Sequence, residues 1–220
     1  METRIIDRKL DVLRDKLLLL GGTTEKAVYL AMRSLTERDS DLARKVIKDD
    51  KVINKMEVGI DQMSVEILAL QQPAAHDLRF VISVAKITPV LERIADHAAN
   101  IAEAAIVLNN EPEITPYSEL QKMAEVAGEM LQTALDAFTS EDSELSRSVI
   151  KRDREIDDAY NRIFDKLIRL MIENPPLTTG AAHLLFVAKH LERIGDYVKD
   201  ICELNVYLIE AAFIKHKKRI

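Results

Sequence analysis

Cysteine occurs once in this 220-residue sequence, tryptophan not at all, and glycine and proline only six times each. The single thiol, Cys202, excludes an internal disulfide framework and a thiolate zinc site, and reads as a small apolar residue rather than a nucleophile. With aromatics at only 5%, the composition disfavours a sheet-rich fold. Long hydrophobic runs are missing as well. Residues 17–20 are far too few to cross a bilayer, and residues 1–15 alternate charged and apolar side chains without a signal-peptide core. Basic residues are outnumbered, 31 against 37 acids, and the net charge of -6 provides no electrostatic footprint for nucleic acid. A cytoplasmic protein is expected, long enough for one large domain or two small ones.

What is present is 47% apolar and 31% charged residues, arranged at helical spacing. A first helix is predicted over residues 4–36, loosened at Gly21-Gly22. A second starts at the Asp39-Ser40 cap and ends at Gln71-Gln72-Pro73. A third spans 74–108, with Pro89 expected to kink it three residues before Glu92. Residues 109–116, with two prolines among polar side chains, read as a linker. Ser118-x-x-Gln121 reads as a capping box for a fourth helix reaching about Phe138. A fifth follows over 143–172 to the Asn174-Pro175-Pro176 stop. Thr178-Thr179 is expected to cap a sixth, which continues into the basic tail Lys215, Lys217, Lys218 and Arg219. That tail suits a helix C-terminus better than a lipid surface.

The order of three helices, linker and three helices is also a repeat in letters. Leu91-Glu92-Arg93-Ile94-Ala95-Asp96 returns 100 residues later as Leu191-Glu192-Arg193-Ile194-Gly195-Asp196. Leu42-x-Arg44-x-Val46-Ile47-Lys48-x-Asp50 returns after 103 as Leu145-x-Arg147-x-Val149-Ile150-Lys151-x-Asp153. The predicted fold is therefore all-α: two tandem, pseudo-symmetric three-helix bundles of six long antiparallel helices, residues 1–110 and 117–220.

Each copy places two carboxylates one helical turn apart, Glu92 with Asp96 and Glu192 with Asp196. Asp50, Asn54, Glu57 and Asp61 form a polar stripe on the second helix, and Asp153 with Asp157 a shorter one on the fifth. Glu103 and Asn100 extend the third-helix stripe; Asp200 and Glu203 extend the sixth. In an antiparallel hairpin, residues equidistant from the turn sit level. Asp50 with Asp96, and Asn54 with Glu92, are both centred on Pro73; Asp153 with Asp196, and Asp157 with Glu192, are centred between Asn174 and Pro175. Those are the two predicted turns. Level carboxylates without lysine at the same heights suit a multivalent cation. An all-oxygen set favours hard ions such as magnesium, manganese or iron, with zinc less natural. The candidate metal ligands are Asp50, Asn54, Glu92, Asp96 and Asn100 in the first unit, and Asp153, Asp157, Glu192, Asp196 and Asp200 in the second. The competing reading is a solvated polar seam neutralised by Arg93 and Arg193. His97 and His190 adjoin the acidic motifs, but no histidine follows a glutamate by three residues, as a catalytic di-iron bundle requires. No P-loop, nucleophile elbow or zinc-protease motif is found.

The Glu-x-x-x-Asp pairs, Asp77-Leu78-Arg79 after a proline turn, and the Asp50/Asn54 and Asp153/Asp157 pairs together resemble the PhoU family over the whole chain. That resemblance implies two three-helix bundles related by a pseudo-twofold. It also implies a multinuclear metal cluster on the acidic pairs, of iron or zinc, with manganese or magnesium possible. It further implies a non-enzymatic, negative regulator of phosphate uptake and phosphate-starvation signalling, acting when phosphate is plentiful. Such an adaptor would join the ATPase subunit of a phosphate ABC transporter to a phosphate-responsive sensor histidine kinase, peripheral to the membrane through its partners. A homodimer is expected. Ala95 departs from the family's glycine, and Asn54 and Asn100 dilute the first site's charge. The alternative reading of the residues is a carboxylate-bridged multinuclear metal enzyme, an oxidase or a phosphohydrolase.

Overall fold

The computed structural model describes residues 4–114 and 117–214. Six long helices account for them, with no strand among the described residues: α1 (Ile5–Thr36), α2 (Ser40–Gln71), α3 (Ala75–Leu108), α4 (Tyr117–Ser140), α5 (Ser143–Glu173) and α6 (Thr178–Glu210). The helices α1, α2 and α3 pack on one another, as do α4, α5 and α6; α3 meets α6 and α1 meets α4 between the groups. Among the described residues α2 and α5 touch no helix of the opposite group. The architecture is thus the expected pair of three-helix bundles, joined through α3, α6, α1 and α4.

Burial follows from those positions. The outer helix α2 buries a narrow stripe, Val46, Ile53, Ile60 and Ile67, one residue every seven. Val149, Ile156 and Ile163 repeat it on α5. This spacing keeps one seam of a helix against its neighbours at a shallow crossing angle. The inner helix α3 is apolar over a much wider arc, including Val84, Leu91, Ala98 and Ala105, because it faces its own bundle and α6 at once. The buried residues of all six helices form one continuous apolar cluster.

Several local expectations need correction. Helix α1 runs unbroken through Gly21-Gly22. A Cβ on Gly21 would lie 2.6 Å from Leu135 Cδ1, so the missing side chain lets α1 and α4 approach across the bundle junction. Tertiary packing outweighs the propensity cost of about 1 kcal/mol. Asp39 caps α2 as expected, accepting from the backbone N–H groups of Asp41 and Leu42, and Asp142 caps α5 in the same way, accepting from that of Leu145. Ser118, however, lies inside α4, and Gln121 donates to Glu125 (3.2 Å) rather than closing a box. Thr178 is likewise not a cap; the 3₁₀ turn Pro175–Leu177 feeds α6 directly from Asn174. Helix α3 continues through Pro89, which deprives the Ala85 carbonyl of its helical donor. The first part of the linker is tied down: Arg38 Nη2 donates to the carbonyls of Asn109 (2.8 Å) and Glu111 (2.7 Å), and Ile114 is buried. The tail Lys215, Lys217, Lys218 and Arg219 lies outside the described residues.

Candidate metal centre

The turn at Gln72, held in the left-handed region (φ 45°), reverses the chain between α2 and α3. It places the acidic stripes of the two helices side by side. Burial first, and then the charges of Asp96, Glu57 and Asp50, push the Glu92 carboxyl above its ordinary range. Burial and Asp50 do the same to Asp96; burial, Asp61 and Asp96 do so to Glu57. The charge of Asp50 on α2 thus bears on both Glu92 and Asp96 on α3, and that of Asp96 on Glu57, so these carboxylates crowd one seam. Asn54 Nδ2 donates to Asp50 Oδ2 (3.2 Å), while Asp50 Oδ1 and Asn54 Oδ1 are buried acceptors without a donor. Arg93 opposes the rise at Glu57 and Glu92 without cancelling it. Asn100 is exposed, and no hydrogen bond among the described residues joins it to this seam.

The second seam differs, and in a way that corrects the expectation of no lysine at the same heights. Asp153 is buried at 6% exposure, and Lys199 Nζ lies 2.7 Å from its Oδ2 and 3.6 Å from Asp196 Oδ1. Lys189 Nζ lies 2.7 Å from Glu192 Oε2, and Arg193 reaches Asp196 at 3.5 Å. Lys199 is set one turn beyond Asp196 on α6, and helical side chains lean toward the N-terminus, so its ammonium reaches back across the hairpin to α5. Burial opposes the ammonium's charge, but its bond to Asp153 and the nearby Asp196 and Asp157 hold its pKa above the ordinary value. Asp157 and Asp196 still sit above theirs, chiefly through burial and then through neighbouring carboxylates. Asp200 is half-buried one turn beyond Asp196. In the first unit the positions matching Lys199 and Lys189 are Ala99 and Pro89, so the first seam lacks both cations.

The two Leu-Glu-Arg-Ile copies also pack differently. A Cβ on Gly195 would fall 2.8 Å from Ile156 Cδ1 and 3.4 Å from Asp153 Oδ1. The second hairpin therefore closes tightly over its aspartate. Ala95 carries the extra methyl in the first, where Asp50 is only half-buried.

As a metal site, the first seam fits in chemistry: hard oxygen donors, two buried acceptors lacking donors, and clustered carboxylates that a cation would stabilise. Among the described residues, no three acidic, histidine or cysteine side chains already surround a common metal position. Binding would therefore draw α2 and α3 side chains together. The second seam would first have to release Lys199.

Other residues marked in the sequence hold the bundles together. His97 Nδ1 and His190 Nδ1 are 2.8 Å apart where α3 meets α6, with Tyr197 stacked on His97. Burial, then His190 and Arg193, hold His97 down to about 4, and burial lowers His190, so the pair is neutral at pH 7. Arg79 of the Asp77-Leu78-Arg79 step donates to the Leu208 carbonyl on α6 (3.0 Å), and Asp77 pairs with Arg4 at 3.4 Å. The partners of Lys199, Arg79 and His97 lie on other helices, so local spacing carries no signal for these roles.

The PhoU domain model matches the chain twice, over residues 17–105 and 120–204. The chain belongs to the PhoU family. Each match spans three helices and so takes in one acidic seam. A phosphate-specific transport system accessory protein PhoU homolog of Clostridium acetobutylicum is 36% identical over 210 residues, covering 95% of this chain and 96% of that protein. The Pseudomonas aeruginosa homolog is 39% identical over 209 residues, covering 94% and 86%. The crystal structure of PhoU from Pseudomonas aeruginosa superposes with a TM-score of 0.90, covering 94% of this chain and 99% of that one. That of the phosphate transport system regulatory protein PhoU from Streptococcus pneumoniae gives 0.89 at 31% identity, covering 96% and 99%. No helix among the described residues is long and apolar enough to cross a membrane.

Proposed function

We propose that this protein is a non-enzymatic, metal-binding accessory regulator of phosphate-specific transport. It acts in the cytoplasm as a homodimer and contacts the transporter's ATPase subunit and a phosphate-responsive sensor histidine kinase. It restrains uptake and starvation signalling when phosphate is plentiful. The observation that carries this reading is similarity to phosphate-transport accessory proteins across nearly the full length of both chains, rather than over a shared fragment. The two units, residues 1–110 and 117–220, each contribute one seam. Asp50, Asn54, Glu92 and Asp96 would hold metal in the first, with Glu57 beside them in place of the exposed Asn100, and Asp153, Asp157, Glu192, Asp196 and Asp200 in the second. The bound cation would supply the positive charge that lets these crowded carboxylates ionise together, turning a strongly negative face nearly neutral toward a partner. Cys202, fully buried with its thiol pushed up to about 12, offers no nucleophile.

The test is affinity purification of the tagged protein from cells grown in high phosphate, with elemental analysis of the product. Recovery of the transporter ATPase and the kinase, with metal bound, is expected. Turnover of a phosphoester by the purified protein, with neither partner recovered above background, would overturn the proposal in favour of a metal enzyme.

A further inference from the structure

The solvent side of the α1–α2 hairpin carries a surface unrelated to the acidic seams. The ion pair of Lys9 with Glu66 (2.6 Å) ties α1 to α2 and sets their register, which brings Leu19 level with Met56 and Lys16 level with Gly59. Between the helices runs a groove of about 280 Å³, floored by Val52, Met56, Gly59 and Ile60 and walled by Leu19. Leu19 is 65% exposed, Val52 52% and Val12, farther along the same stripe of α1, 46%. Nothing stands within 4 Å of where a Gly59 Cβ would be, so the floor is open backbone.

The charged side chains that line this floor have one sign. Lys16 and Lys55 line the groove and no acidic side chain does. Lys48 and Lys51 continue Lys55 along one face of α2 at helical spacing, and all four lysines are exposed and make no ion pair among the described residues. On a chain of net charge -6, lysines that line a groove beside exposed apolar side chains specify an anionic occupant. The trough between two antiparallel helices has the form that receives a third helix, and Val12 and Leu19 are two turns apart, about 10 Å, the spacing of i and i+7 anchors. An extended lipid surface would meet the ridges and leave this floor unfilled.

We propose that the outer α1–α2 groove docks an acidic amphipathic helix of a partner protein. Its apolar face covers Leu19, Val52 and Met56, and its carboxylates meet Lys16 and Lys55. This goes beyond the accessory role, and its test needs no transporter component.

The probe is a labelled helical peptide with leucines at i, i+4 and i+7 flanked by glutamates, titrated against the full chain by fluorescence anisotropy. A twin with lysine for every glutamate serves as comparison. The acidic peptide should bind, and binding should weaken with added salt and fall at least about tenfold in Lys16→Glu/Lys55→Glu. Leu19→Ser should also weaken it, whereas Lys122→Glu on α4 should not. All of these positions are exposed, and an unchanged helical circular dichroism signal confirms folding. Equal binding of the lysine twin, or an unchanged affinity in the double variant, overturns the proposal. So does lysine-dependent binding to phosphatidylserine vesicles without peptide binding, which would assign the face to a membrane.

Discussion

Replacing Lys199 by methionine keeps the aliphatic stem and removes only the ammonium that faces Asp153. Asp153 is buried at 6% exposure, and its Oδ2 accepts from Lys199 Nζ at 2.7 Å. Loss of a hydrogen bond to a charged group costs about 1.5–3 kcal/mol. The lysine side chain is 35% exposed, so water partly replaces it, and about 2 kcal/mol is the expected loss at neutral pH in chelator. In a chain of this length that lowers the melting temperature by roughly 4–8 °C. Lys189→Met is the internal control: its ammonium lies 2.7 Å from Glu192 on a side chain 40% exposed, and an exposed pair of this kind is worth under about 1 kcal/mol. Thermal melts followed at 222 nm, with EDTA and then with manganese, separate the effects. Manganese should raise the melting temperature of Lys199→Met more than that of wild type, because a lysine no longer competes for the seam. If Lys199→Met melts at the wild-type temperature in EDTA, or no lower than Lys189→Met, Asp153 does not depend on this lysine and the account of the second seam is wrong.

Asp96→Ala with Asp196→Ala should eliminate bound metal in elemental analysis and leave the helical signal intact; retention of metal would place it elsewhere. Gly22→Ala, with nothing within 4 Å of the new methyl, should raise stability by up to about 1 kcal/mol. Gly21→Ala should lower it, since Leu135 Cδ1 lies 2.6 Å away, and urea melts that rank the pair in the opposite order refute the α1–α4 contact. Gly195→Ala should cost about 1–3 kcal/mol through Ile156, and Ile156→Val should recover part of that cost. Cys202, buried with its thiol raised to about 12, should resist iodoacetamide in native protein and react only after denaturation.

Local order alone determined the helices, the turns near Pro73 and Asn174, and the level placement of acids across each hairpin. These depend on periodicity, on capping by Asp39 and Asp142, and on distance from a turn, all of which are short-range or follow from symmetry about the turn. The repeat made Asp50 with Asp96, and Asp153 with Asp196, readable as facing pairs. Tertiary structure decided the rest, because each remaining feature depends on a partner distant along the chain. Gly21 looked like a weak point until Leu135 occupied the space beside it. His97 and His190 meet only because α3 packs on α6. The difference between the seams is of the same kind. Ala95 and Gly195 differ by one methyl and Ala99 and Lys199 by one charge, but which acid those changes expose or neutralise depends on how closely the facing helix approaches, and that distance is set by packing.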